Sequence, residues 1–152
     1  MDHREKAGQL FLSGYNCAQA VAVAFCDVTG LEESVAAKLA SPFGGGIGRM
    51  REVCGAVSGM MMVVGLLYGF EPSEGSTAKS AHYHLVQELA EQFRQQAGSI
   101  ICREILKNPP ADPNPSPRTA EYYANRPCAR MVMLAAEILD RYIAEHPVED
   151  LA

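Results

Sequence analysis

Phe43-Gly44-Gly45-Gly46-Ile47-Gly48-Arg49-Met50-Arg51-Glu52-Val53-Cys54-Gly55-Ala56-Val57-Ser58-Gly59 runs straight into Met60-Met61-Met62-Val63-Val64-Gly65-Leu66-Leu67-Tyr68-Gly69. A glycine-rich loop leads through two arginines to a cysteine and then to an apolar run of helical length. Glycine permits positive φ and close approach of other groups. The small residues Gly55, Ala56, Ser58 and Gly59 after the cysteine predict a tightly packed helix start. Cys54 stands where that helix begins, and the free amides there favour an anion such as a thiolate. The plainer alternative is a buried core helix behind a loop, with Cys54 acting as a small hydrophobe.

The flanking segments carry the same period. Asp2 to Leu12 reads as a helix with Ala7, Leu10 and Phe11 inward. Asn16 is an N-cap candidate, with Cys17 opening a helix to about Asp27. Cys26 falls near the end of that helix, where the dipole disfavours a thiolate, so it is assigned a structural role. A short helix from about Glu32 to Ala40 stops before Pro42. A long one runs from about Ser76 to Gln96, with Ala78, Ala81, His82, Leu85, Leu89 and Phe93 as its inner stripe. Ser99 caps a short helix holding Cys102. Residues 108–117 carry five prolines and form an exposed loop. Ser116-Pro117 opens a helix to about Asn125, and Pro127 starts the final one, with Cys128 in its first turn. No run alternates with period two and no hairpin turn occurs. The expectation is an all-α, single-domain, compact helical bundle spanning residues 1–152.

Composition narrows the function. A net charge of −5 gives no basic footprint, so nucleic acid is excluded as the expected partner. The apolar run from Met60 to Leu67 is too short for a membrane span, and the charged N-terminus lacks a signal-peptide pattern. A cytoplasmic location follows as the expectation. Five cysteines in such a chain point to redox, metal or catalytic thiols rather than a disulfide framework. The three methionines read as core filler rather than a soft-metal site. His82 and His84 read as satisfied or surface groups rather than ligands.

Cys17, Cys54, Cys102 and Cys128 each fall at the start of an expected helix, beside apolar positions, so four thiols face one core. Two chemistries fit. In the first, the four are the catalytic thiols of a thiol–disulfide oxidoreductase. Cys54 is then the attacking thiol, because Arg49, Arg51 and the helix start all favour its thiolate. In the alternative, the same four hold zinc or an iron–sulfur cluster, although no close Cys pair nucleates the site. The glycine loop lacks dinucleotide-binding spacing, but its amides, with Arg49 or Arg51, suit an anion. A redox partner protein, a small-molecule substrate and a homo-oligomer all stay open.

Gly14-Tyr15-Asn16-Cys17-Ala18-Gln19-Ala20, Phe43-Gly44-Gly45-Gly46-Ile47-Gly48-Arg49 and Cys54-Gly55-Ala56-Val57-Ser58-Gly59 resemble the C_GCAxxG_C_C family. Its members are small bacterial and archaeal proteins described as redox-active. Cys102 and Cys128 correspond to its two downstream cysteines, while Cys26 lies outside the pattern. The resemblance implies redox activity through the four cysteines and names no substrate.

Overall fold

The computed structural model describes residues 2–148. Helix α1 spans His3–Leu12 and is capped by Asp2, whose carboxylate accepts from the Glu5 amide at 2.7 Å. Helix α2 spans Cys17–Ala24. Asn16 accepts from the Gln19 amide at 2.9 Å, and the Gln19 side chain accepts from the Asn16 amide at 3.0 Å. This reciprocal pair fixes Cys17 as the first helical residue. The expected continuation to Asp27 breaks at Phe25, and a single turn, α3 (Cys26–Thr29), follows. At the break Phe25 is fully buried beneath the His3 ring, which also bridges Asp27 and Asp140 at 2.9 and 2.6 Å.

Helix α4 (Glu33–Ala40) leads to the glycine-rich turn, then α5 (Gly55–Tyr68) and the long α6 (Gly75–Ala97). The chain ends through α7 (Cys102–Ile105), α8 (Ala120–Asn125) and α9 (Cys128–Glu145). The protein is an all-α single domain, and among the described residues there is no sheet. Val53 and Ile101 form one isolated antiparallel bridge.

Helix α2 is central: α1, α4, α5 and α9 all pack on it. Its run of Ala and Val presents small buried side chains on every face except that of Gln19. Helix α5 comes closest, because a Cβ on Gly59 would lie 2.6 Å from the Ala18 carbonyl. Phe11, Met60, Leu89, Phe93, Ile138 and Leu139 fill the core around this axis. Met60 is fully buried, while Met61 and Met62 pack half-buried against it.

Two expectations need correction. The inner stripe of α6 is buried only at Leu89 and Phe93; Ala81 is exposed, and the first half of the helix meets Phe70 through His82 and Tyr83. Helix α8 starts at Ala120 rather than Pro117. Thr119 caps it by accepting from the Tyr122 amide, while the Ser116 hydroxyl is taken by Arg49. Among the described residues, no single helix is long and apolar enough to cross a membrane.

Candidate functional site: a cavity lined by four thiols

The glycine-rich stretch is a left-handed turn. Gly45, Gly46, Ile47, Gly48 and Arg49 have φ of 67°, 72°, 65°, 55° and 69°, and Arg51 follows at 61°. Each non-glycine residue there costs about 1–2 kcal/mol. Amide bonds from Gly48 to the Pro42 carbonyl (2.9 Å) and from Glu52 to the Gly46 carbonyl (2.9 Å) hold the turn against that cost. Its effect is to aim Arg49 and Arg51 away from Cys54. Arg49 donates to the Asp112 carbonyl at 2.9 Å and the Ser116 hydroxyl at 3.1 Å. Arg51, 4% exposed, donates through Nε to the Pro110 carbonyl at 2.9 Å and through Nη1 to the Cys102 sulfur at 3.7 Å. Both arginines thus pin the proline-rich segment over the turn.

The same turn brings two cysteine segments together. The Cys54 amide donates to the Ile100 carbonyl at 2.7 Å, and the Cys102 amide to the Glu52 carbonyl at 2.6 Å. Gly46 presses on this junction: a Cβ there would lie 2.8 Å from that of Cys102. Gly55 lets α5 meet the start of α2, since a Cβ on it would lie 3.1 Å from that of Cys17. Cys128, at the start of α9, completes the wall. Cys17, Cys54, Cys102 and Cys128 line a single cavity of about 60 Å³. Cys26 packs elsewhere with Val23 and Ala36, its sulfur 3.7 Å from the Ala22 carbonyl.

The four thiols are buried free cysteines in unequal environments. Cys128 is lowered to about 7. The Cys17 thiol bonds to it, and Arg126, Arg118 and Arg51 add positive charge, together outweighing burial. Cys17 is raised by that same bond and then by burial, so it holds its proton beside the Cys128 thiolate. Cys54 is pushed up to about 12 by burial, although the Ala56 and Val57 amides oppose it. Cys102 is raised by burial against the pull of Arg51. The expectation that Cys54 is the most acidic thiol therefore fails. Cys54 is the N-cap of α5 with two amide donors, but no guanidinium reaches it, and two neutral dipoles do not offset near-complete burial.

Among the described residues, no three His, Cys, Asp or Glu side chains converge in an arrangement that fits a metal ion. The thiols border one cavity without closing into a ligand set, and no step is derived through zinc or a cluster.

The cavity opens into a wider vestibule of about 260 Å³. Asn16, Gly45, Arg51, Arg118, Tyr122 and Arg126 line both spaces and form the neck between them. Arg118 donates to the Phe11 carbonyl at 3.1 Å and the Tyr15 carbonyl at 3.3 Å. Its guanidinium and that of Arg126 lie 5.2 and 5.0 Å from the Tyr122 ring centre. Sequence reading passes over Arg118 and Tyr122. Their signal is the spacing of four in Arg118, Tyr122 and Arg126, which aligns all three beside Cys128.

An all-helical bundle with four inward cysteines around one cavity defines the class of this protein. The family described as "Putative redox-active protein (C_GCAxxG_C_C)" matches residues 15–142, and the chain belongs to it. No curated protein and no solved structure matches the chain.

Proposed function

We propose that the protein is a cytoplasmic thiol–disulfide oxidoreductase in which Cys128 attacks and Cys17 resolves. The observation that supports this most is the direct bond between the two thiols, with Cys128 held at about 7. A thiolate present at neutral pH is the competent nucleophile. The Cys128 thiolate attacks one sulfur of a substrate disulfide, forming a mixed disulfide and releasing the other half as a thiolate. Cys17 passes its proton to that leaving thiolate. The resulting Cys17 thiolate attacks the Cys128 sulfur, closing a Cys17–Cys128 disulfide and releasing the second substrate thiolate. Two electrons move from the cysteine pair to the substrate. Cys54 and Cys102, joined through the Val53–Ile101 bridge, supply a second dithiol facing the same cavity.

The test uses small-disulfide oxidation with mass-spectrometric mapping. Wild-type protein should form Cys17–Cys128, Cys17→Ser should trap the mixed disulfide on Cys128, and Cys128→Ser should slow turnover roughly a hundredfold or more. A mixed disulfide trapped on Cys54 instead would overturn the assignment. So would stoichiometric zinc or iron in anaerobically purified protein, because the thiols would then be ligands.

A further inference from the structure

The vestibule has a charge character that the rest of the molecule lacks. The chain carries a net charge of −5, and Arg4, Arg49, Arg94, Arg103 and Arg141 each meet a carboxylate. Arg51, Arg118 and Arg126 line the neck, and among the described residues no carboxylate lies within ion-pair distance of any of them. Arg51 is the sharpest case: it is 4% exposed, and its Nη2 is buried with no hydrogen-bond partner. A buried donor left unsatisfied carries a penalty of about 1–3 kcal/mol, more when charged. One thiolate in the cavity balances one of the three positive charges, and the other two stay uncompensated at the only neck shared by vestibule and thiols.

We propose that this neck selects a small disulfide bearing carboxylate groups, the guanidiniums of Arg51, Arg118 and Arg126 holding its anionic arms in the vestibule while its sulfurs enter the thiol cavity. The inference rests on the thiol–disulfide reading and adds its substrate class. Guanidinium donors match carboxylate oxygens in charge and geometry. The vestibule volume, about 260 Å³, suits a molecule of a few heavy atoms per arm rather than a protein disulfide. Exchange balances as before: the substrate disulfide gains two electrons and leaves as two carboxylate-bearing thiols, and Cys17 and Cys128 lose two electrons in forming their own bond.

The experiment compares two disulfides of similar size, dithiodiglycolate (a dianion) and bis(2-hydroxyethyl) disulfide (neutral), as oxidants of the reduced full-length protein. The readout is the ratio of their second-order rates. The thiolate fraction of Cys128 cancels in that ratio, so it reports substrate charge rather than thiol acidity. The expected wild-type preference for the dianion is about tenfold or more, falling with added salt. Arg126→Gln should cut the ratio severalfold; Arg126 makes no hydrogen bond or ion pair among the described residues, so folding is not at issue. Arg126→Lys should restore most of it. Arg130→Gln, which removes the same charge on the exposed side of α9, should leave it unchanged. A ratio near or below one with rapid oxidation by both probes overturns the anionic substrate and leaves the oxidoreductase reading standing. No oxidation by either probe overturns both.

Discussion

Cys54 and Cys128 begin as near equivalents and end as opposites. Each sits at the start of a long helix, each has arginine close in sequence, and each lines the same cavity. Yet one is pushed up to about 12 and the other is lowered to about 7. The difference is where the arginines point. The left-handed turn carries Arg49 and Arg51 past Cys54 to the proline-rich segment and to Cys102. Arg118 and Arg126 stand with Tyr122 on the Cys128 side. A helix terminus alone does not make a buried thiol acidic; converging charge does.

The largest expected effect is in labelling order. With the reduced protein at neutral pH, iodoacetamide should modify Cys128 roughly a thousandfold or more faster than Cys54, each followed by peptide mass spectrometry. Cys128 modification should rise through about pH 7. Equal rates would erase the contrast. Stability follows with opposite signs. Because Cys128 is lowered on folding, its contribution is present above the ordinary thiol range and is lost as pH falls through about 7. Because Cys54 is raised, its contribution is present below the ordinary thiol range and is lost as pH climbs toward about 12. Denaturant titrations of Cys128→Ser and Cys54→Ser across pH 6–11 should each flatten one of these two slopes.

The turn that separates the two environments can be broken directly. Gly46→Ala puts a Cβ 2.6 Å from the Glu52 amide nitrogen at a φ of 72°, and should destabilise by about 2–4 kcal/mol in chemical unfolding. Gly48→Ala meets nothing within 4 Å at a φ of 55° and should cost only about 1 kcal/mol. Equal losses would mean that conformation, and not close packing on the Cys102 segment, limits the turn. The smallest effect sharpens the electrostatics: Arg126→Gln should raise the Cys128 labelling midpoint by about one pH unit, while Arg49→Gln leaves Cys54 where it is.

Much of the fold was legible because it is local. Helical periodicity, the Asn16 cap and the proline signals depend on neighbours within four residues, and they located most helices to within a residue or two. The misses were also local competitions lost to distant partners. Thr119 caps α8 because Arg49 takes Ser116 from across the chain. The helix after Cys17 breaks at Phe25, which sits beneath a histidine engaged by carboxylates near both of its ends.

The sequence by itself determined an all-helical chain with four cysteines at helix starts and a fifth apart from them. Those facts follow from short-range sterics and from side-chain period. Only the tertiary structure decided which thiol is acidic and which is inert. That choice depends on Coulomb interactions and burial, which act through space: Arg126 is two residues from Cys128, Arg118 is ten, and Arg51 is seventy-seven, yet all three act on one sulfur. Arg49 and Arg51, five and three residues from Cys54, turn away from it because a run of positive φ values reverses the chain between them.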